Sequence, residues 1–262
     1  MINQMTSGMH RKTPLALHET VLATYCLIRY RFKRYNFAPM PEEFIPYTHP
    51  ITYAHDADLI AQSERLNATM QGRRSIRKFS DRPVPQEVIH NLIRIAASAP
   101  SGAHKQPWTF AVISSQEFKS KIREAAEKEE YINYNGRMSD DWIEDLKQFG
   151  TDWQKDFITT APYIVVVFKK SYDQLESGEK AKNYYVNESV GIACGFLLSA
   201  IHQLGLVSLT HTPSPMNFLA DLLDRPPNEK AFLLIPIGYA ADDAVVPDIE
   251  RKSLGEVVIE VG

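Results

Sequence analysis

Apolar residues recur along this chain with two different periods, which predict alternating helices and strands. Between Pro85 and Ala97 they follow one face of a helix, and Pro85 suits a first helical position. Further helical patterns cover residues 56–71 and 188–204. Short runs of β-branched and aromatic residues predict strands at 108–113, 163–168, 207–210, 231–239 and 256–261. Strands that alternate with long helices predict an α+β layer fold.

A charged region separates the first two predicted strands. Residues 116–149 have a helical pattern that Asn133, Asn135, Gly136 and Ser139 interrupt, which predicts two helices around a joint. Residues 124–155, called the lid segment below, contain few large apolar side chains. Its own packing can stabilise it only weakly, so we expect it to be mobile without a ligand.

The first 60 residues differ from the rest of the chain. They show weak periodicity and contain Pro39, Pro41, Pro46 and Pro50, so we predict an N-terminal extension over residues 1–42 and one domain over 43–262. The apolar run 21–28 meets a basic stretch and lacks a signal-peptide cleavage pattern. The apolar run 190–201 is shorter than the roughly 20 residues that a bilayer requires. We therefore expect no integral membrane segment.

Composition narrows the class of protein further. The 29 basic and 32 acidic residues give a net charge of −3, and 44% of residues are hydrophobic. These values argue against a disordered chain and against nucleic acid as the main partner. Cys26 and Cys194 are too few for a disulfide framework or a thiolate metal site, and the histidines lack metal-ligand spacing. We expect a soluble, cytoplasmic protein without a metal.

One short segment carries unusual chemistry. Arg73, Arg74, Ser75, Ile76 and Arg77 place three guanidinium groups and a hydroxyl within five residues. Arginine binds phosphate oxygens with bidentate geometry, and serine adds a neutral donor, so the segment could form a phosphate clamp with Arg251. A solvated basic turn is the competing interpretation, and the composition of the segment alone does not separate the two.

Several motifs resemble one enzyme superfamily. Residues 73–80 (RRSIRKFS) and 99–108 (APSGAHKQPW) are similar to the opening of the flavin-dependent nitroreductase superfamily. The later motifs resemble the iodotyrosine deiodinase family within it. They are residues 130–134 (EYINY), 153–155 (WQK), 187–195 (NESVGIACG), 210–213 (THTP) and 246–252 (VPDIERK). The resemblance covers roughly residues 43–261.

The resemblance implies a three-layer α/β/α fold with a mixed, mainly antiparallel sheet, and an intertwined homodimer that holds FMN at its interface. Residues 73–77 and Arg251 then correspond to the phosphate and ribityl contacts. Pro100, Ser101 and Gly102 correspond to a loop that passes over the flavin from the other subunit. Thr210, His211 and Thr212 lie beside the flavin, with Thr212 placed to hydrogen-bond N5 and tune the cofactor. His211 departs from the threonine expected at its position.

The resemblance also implies a substrate site. Glu130 and Tyr134 are four residues apart and share a helical face, and Lys155 follows on the next helix. Together they match an amino-acid zwitterion, with a carboxylate for its ammonium and a cation and a hydroxyl for its carboxylate. The backbone N–H of Ala103 meets the phenolate oxygen of the substrate. Ala103 and Thr212 are therefore the expected catalytic residues.

The implied activity is reductive dehalogenation of 3-iodo-L-tyrosine and 3,5-diiodo-L-tyrosine, and of bromo or chloro analogues, to L-tyrosine and halide. NADPH would supply electrons directly or through a reductase. A general NAD(P)H-dependent nitro or quinone reductase of the same fold is the alternative enzyme. A flavin-binding or aromatic-ligand-binding module without catalysis is the alternative from another class, since one fold hosts several functions.

Overall fold

A computed structural model of the chain describes residues 47–262, so the extension predicted for residues 1–42 lies outside the described part. Residues Tyr53–Gly262 form a compact unit. Its helices are α1 (Asp56–Gln71), α2 (Gln86–Ala97), α3 (Gln116–Ile132), α4 (Asp140–Lys147), α5 (Phe157–Thr160), α6 (Val186–Gln203), α7 (Asn217–Leu222) and α8 (Leu254–Val257). Its strands are β1 (Trp108–Ile113), β2 (Tyr163–Lys170), β3 (Tyr172–Gln174), β4 (Lys180–Lys182), β5 (Val207–Ser208) and β6 (Glu229–Gly238).

Four strands form the central sheet in the order β1-β2-β6-β5, and every neighbouring pair is antiparallel. The parallel element of the expected mixed sheet is small. It consists of an isolated bridge between Ser75 and Ser208, which adds the arginine segment 73–77 to the edge strand β5. The sheet therefore ends where the candidate phosphate clamp begins.

Strand β2 shows why the molecule has three layers. Successive side chains of a strand point to opposite faces. Val165 and Val167 belong to a core with helices α2 and α6, whereas Ile164, Val166 and Phe168 belong to a second core with α3, α5 and α7. Both cores are fully buried at this strand. The expected three-layer α/β/α architecture is confirmed.

The charged region 116–149 folds as its pattern predicts. Helix α3 begins after Ser115, whose hydroxyl accepts a hydrogen bond from the N–H of Phe118. One π-helical turn, Asn133–Arg137, separates α3 from α4, and Gly136 has a φ of 149° there. Side chains disfavour that backbone conformation, so the glycine places the joint at this position.

Two of the predicted strands differ from the structure. The strand expected at 256–261 is absent, and residues Leu254–Val257 form a short helix because Ser253 and Glu256 make a capping box. Glu176 and Glu179 lie in the exposed turn of the hairpin β3–β4. The strand expected at 207–210 is confirmed only for Val207–Ser208.

None of the helices between residues 47 and 262 has both the length and the apolar character that a membrane crossing requires.

Candidate active site

The arginine segment is held against the sheet by its backbone. The N–H of Ile76 donates to the carbonyl oxygen of Ser208 (3.1 Å), next to the Ser75–Ser208 bridge. Residues 73–77 are all half-buried. A solvated basic turn would be exposed and free of the sheet, so this placement favours the phosphate clamp over the competing interpretation.

Arg251 joins the segment from the far end of the chain. Its guanidinium donates to the backbone oxygen of Gln71 (2.9 Å) and to that of Arg73 (2.6 Å), while Arg74 donates to the backbone oxygen of Pro247. A cavity of about 160 Å³ lies between them. It is lined by Arg73, Arg74, Ser75, Arg77, Phe149, Pro247, Ile249, Glu250 and Arg251.

Positive charge predominates around this cavity, because four arginines and a single carboxylate, Glu250, line it. The ion pairs of the described chain involve other residues, so Arg73, Arg74, Arg77 and Arg251 form none within residues 47–262. Arg74 and Arg251 donate hydrogen bonds to backbone or side-chain amide oxygens instead. Four guanidinium groups without a carboxylate partner fit a phosphate dianion such as that of FMN.

A second cavity, of about 200 Å³, adjoins the first. Arg77 lines both. The second cavity is lined by Arg77, Glu130, Tyr134, Met138, Trp142, Leu146, Thr151, Lys155, Phe157, Leu209, Thr210, His211 and Thr212. The structure thus brings the predicted substrate residues to the predicted flavin-flanking residues.

Glu130, Tyr134 and Lys155 form one buried cluster. The ammonium of Lys155 lies 3.5 Å from Glu130 Oε2 and 5.5 Å from the centre of the Tyr134 ring. Glu130 and Lys155 are only 6% and 3% exposed. Lys155 also donates to Thr151 Oγ1 (3.4 Å) and to the backbone oxygen of Asp152, and the Tyr134 hydroxyl donates to the backbone oxygen of Thr151 (3.3 Å).

Burial sets the direction of the pKa shifts in this cluster. Loss of solvation raises the pKa of Glu130 and lowers the pKa of Lys155, and the attraction between the two charges opposes both shifts. Burial also raises the pKa of Tyr134, whose hydroxyl therefore keeps its proton at neutral pH. Glu130 and Lys155 have opposite charges that compensate one another, and Tyr134 remains a hydrogen-bond donor.

Residues 210–212 alternate like a strand. Thr210 and Thr212 are exposed, whereas His211 is buried, exchanges two backbone hydrogen bonds with Leu234 (2.9 Å each) and packs edge-on against Phe157 at 5.3 Å. Burial, and then the charges of Lys155 and Arg77, lower the pKa of His211 to about 3. The imidazole is therefore neutral. The two threonines on either side of it remain exposed.

Residues 100–103, which the resemblance places over the flavin, line neither of the two cavities of their own chain. The N–H of Gly102 donates to Ser189 Oγ at the start of α6 (3.2 Å), and Ser101 Oγ accepts from the N–H of Gln106 (2.9 Å). A Cβ on Gly102 would lie 2.9 Å from the backbone oxygen of Tyr184, so only glycine permits this approach. Ala103 follows with a φ of 49°.

The structure adds residues that the sequence analysis missed. Glu127 accepts a hydrogen bond from the backbone N–H of Lys155 (2.7 Å). Asn133 and Arg137, in the joint of the lid segment, both donate to the backbone oxygen of Ser214 (2.9 and 3.2 Å), two residues beyond Thr212. The four-residue spacing of Arg123 and Glu127 predicts that they interact on one helix face. Nothing in the sequence indicates that they contact Lys155 and Asp156.

The chain is similar to known proteins over most of its length. The nitroreductase family model matches residues 70–239. An iodotyrosine deiodinase of Haliscomenobacter hydrossis is 57% identical over 216 residues, which are 82% of this chain and 96% of that protein. Iodotyrosine deiodinase 1 of Homo sapiens is 42% identical over 220 residues, or 84% of this chain and 75% of that protein.

A similar solved structure is a crystal structure of oxidized iodotyrosine deiodinase bound to FMN and 3-iodo-L-tyrosine. The TM-score is 0.64 at 26% identity, and the match covers 75% of this chain and 98% of that one. The nitroreductase-like fold that the motifs implied is confirmed.

Proposed function

Because this chain belongs to the nitroreductase family and, within it, to the iodotyrosine deiodinases, we propose that it removes halide reductively from halogenated tyrosines with FMN as cofactor. The products are L-tyrosine and halide, and iodinated, brominated and chlorinated tyrosines are the candidate substrates. The observation that carries the proposal is the buried cluster of Glu130, Tyr134 and Lys155 beside Thr210–Thr212.

The phosphate of FMN fits the cavity among Arg73, Arg74, Ser75 and Arg251. Since Arg77 lines both cavities, a flavin that starts at the clamp extends past Arg77 toward Thr210 and Thr212. Both threonines are exposed and available as hydrogen-bond donors, Thr212 to N5 of the ring. When bound, FMN supplies the two electrons of the reaction.

The cluster then selects an amino acid. Glu130 binds the ammonium of the substrate, and Lys155 and the Tyr134 hydroxyl bind its carboxylate. In the chain as described, Glu130 and Lys155 pair with one another, and a zwitterion replaces that single pair with two. The charges of the site remain balanced in both states, so burial of the substrate leaves no unpaired charge.

The halogenated ring requires a second group of residues. The N–H of Ala103 is proposed to bind the phenolate oxygen, because a halogen ortho to the hydroxyl favours the phenolate, and N–H donors stabilise such an anion. Residues 100–103 line neither cavity of their own chain. We therefore place them over the flavin of a second subunit in a homodimer.

Exposed apolar residues support the homodimer. Along α6, Gly191, Ile192, Gly195 and Phe196 face outward from an otherwise buried helix, and the two glycines have open space where a Cβ would be. Tyr184 and Tyr185, which contact the loop at Gly102, are 51% and 73% exposed. We expect Ile192→Asp to give monomers that lose FMN; a monomer that retains FMN tightly in sedimentation experiments would contradict the shared site.

The electron donor and the cellular location are further parts of the proposal. NADPH, acting directly or through a reductase, is proposed from the family resemblance alone. A cytoplasmic location is supported by the cysteine content, since Cys194 is a free, buried thiol and no disulfide framework is possible with two cysteines.

An anaerobic single turnover tests the activity. The bound flavin is reduced with dithionite, excess dithionite is removed, and one equivalent of 3-iodotyrosine is added. We expect flavin reoxidation together with one tyrosine and one iodide, because two electrons and a proton replace iodine with hydrogen. Reoxidation by nitroarenes or quinones but not by iodotyrosine would favour the general reductase, and no reoxidation by any of them would favour a binding module.

A further inference from the structure

A row of charged side chains on helix α3 contacts the chain segment that contains Lys155. Lys119, Arg123, Glu127 and Glu130 are spaced four, four and three residues apart, so they lie on one face of the helix. Each contacts the stretch 155–161. Glu130 belongs to the substrate cluster, whereas the proposed reaction assigns no role to the other three.

Glu127 holds the backbone of Lys155. Its Oε1 accepts from the Lys155 N–H (2.7 Å) and from Nε of Arg123 (2.8 Å). Arg123 in turn donates to Thr159 Oγ1 (3.1 Å) and pairs with Asp156, the residue after Lys155. The side chains of Arg123 and Glu127 are 29% and 18% exposed, so solvent screens this network less than a surface ion pair.

The same helix therefore fixes Lys155 at two points, its backbone through Glu127 and its ammonium through Glu130. Side chains three residues apart are neighbours on a helix surface. The carboxylate of Glu127 therefore reaches the backbone N–H of Lys155 while that of Glu130 reaches its ammonium. Lys119 secures the following turn, since its ammonium donates to the backbone oxygen of Ala161 (2.9 Å). The anchored stretch begins at Lys155, at the end of the lid segment.

From these contacts we infer that Glu127, supported by Arg123, is a positioning residue for zwitterion recognition. It keeps Lys155 in place before the substrate arrives, so that only the remainder of the lid segment has to become ordered on binding. This inference rests on the proposed function, because it requires Lys155 to bind the substrate carboxylate. Pre-organised groups lose less entropy on binding, so removal of Glu127 should weaken binding of the amino-acid end selectively.

The test measures dissociation constants of 3-iodotyrosine and 2-iodophenol for the FMN-loaded Glu127→Ala enzyme. We expect iodotyrosine to bind about 10-fold more weakly, consistent with one lost charge-assisted hydrogen bond, while iodophenol changes less than about 2-fold. Glu127→Gln retains an acceptor for the Lys155 N–H and should recover most of the affinity. Glu124→Ala is the matched control, since Glu124 is an exposed glutamate one turn away on the same helix.

A double-mutant cycle separates positioning from general loosening of the fold. In a Lys155→Met background, Glu127→Ala should add less than about 2-fold for iodotyrosine, because the group that it positions is gone. An undiminished effect there, or equal losses for iodotyrosine and iodophenol, would overturn the inference. If Lys155→Met weakens binding but Glu127→Ala does not, only this inference fails. If Lys155→Met itself has no effect, the proposed function and this inference fail together.

Discussion

The two halves of the site handle charge in opposite ways. The arginine half has positive groups whose partners are backbone and amide oxygens, and no carboxylate pairs with them within residues 47–262. The acid–lysine half is already paired, because Glu130 and Lys155 contact one another in a buried cluster. In the proposed function the first half binds an anion directly, whereas the second would exchange its internal ion pair for two pairs with the substrate.

This difference predicts unequal binding energies. An anion at the clamp meets arginines that form no ion pair within residues 47–262, so its binding breaks no existing pair. For a zwitterion at the cluster, the free energy of forming two new ion pairs is reduced by the cost of breaking the existing pair. Its net binding free energy is therefore smaller. The cofactor should consequently remain bound during isolation, whereas the substrate should exchange readily.

The largest expected effect follows from loss of the clamp. Replacement of Arg73 and Arg77 by alanine together removes two charge-assisted contacts of about 1.5–3 kcal/mol each, or about two to four orders of magnitude in FMN affinity. The ratio of flavin to protein absorbance after purification, and a titration of apoprotein with FMN, measure it. Arg94→Ala is the control, since Arg94 pairs with Glu87 on the surface of α2. Undiminished FMN content in the double variant would refute the clamp.

The cluster should show a smaller effect that depends on the substrate. Glu130→Gln and Lys155→Met each remove one partner of the zwitterion and should weaken iodotyrosine binding by roughly one to two orders of magnitude. Turnover should fall as well, because contacts at the amino-acid end position the ring on the flavin. Iodophenol, which has no zwitterion, should be reduced at nearly the wild-type rate. Equal losses with both substrates would mean that the cluster does not recognise the amino acid.

Stability provides an independent view of the same pair. Lys155→Met leaves Glu130 buried without its partner and should destabilise the fold, by up to about 3–5 kcal/mol. The double variant Glu130→Gln with Lys155→Met contains no unpaired charge and should recover much of that loss without recovering iodotyrosine binding. Urea unfolding measures the first effect and ligand titration the second. Recovery of binding in the double variant would contradict the assigned roles.

His211 predicts a change in acid stability. Its pKa is about 3 in the folded chain and near 6.5 when unfolded, so the unfolded state binds a proton between these values that the folded state does not. Stability therefore falls as the pH drops from 6.5 toward 3, by at most about 1.4 kcal/mol per pH unit from this residue. In His211→Thr the dependence of unfolding free energy on pH between 4.5 and 6 should be flatter. An unchanged slope would show that His211 is not neutral in the folded protein.

The smallest expected change concerns order in the lid segment. Residues 135–137 and both tryptophans of the segment, Trp142 and Trp153, are exposed. Amide hydrogen exchange should be rapid there without a ligand and should slow when iodotyrosine binds, but not when iodophenol binds. Slow exchange in the free protein would mean that the segment is closed before the substrate arrives.

Much of the fold could be predicted because its signals are local. The apolar face of 85–97, the aromatic and β-branched run at 163–168 and the Asn and Gly residues at the joint each depend on neighbours in sequence. The helix at Leu254–Val257 was missed although Ser253 and Glu256 have the spacing of a capping box, since the apolar run after them favours a strand. The hairpin β3–β4 is short and carries no alternating pattern.

The site was predictable only in part. Five adjacent residues suggested the clamp but left a solvated basic turn as the alternative. The cluster joins Glu130 to a lysine 25 residues further on, and the resemblance was needed to connect them. Glu127 acts on the backbone N–H of Lys155, a group that every residue except proline possesses, so no residue pattern reveals it. His211 interrupts the threonine run, and only the structure shows that its imidazole is buried between two exposed threonines.

We propose that the paired half of the site recognises an amino-acid zwitterion so that the halogenated ring can be reduced. The most direct measurement compares anaerobic reoxidation of the reduced flavin by 3-iodotyrosine and by 2-iodophenol, in the wild type and in Lys155→Met. We predict that the wild type strongly prefers iodotyrosine and that Lys155→Met lowers this preference by about 10-fold or more, while iodophenol rates stay the same. An unchanged preference for iodotyrosine in Lys155→Met would mean that Lys155 does not recognise the zwitterion.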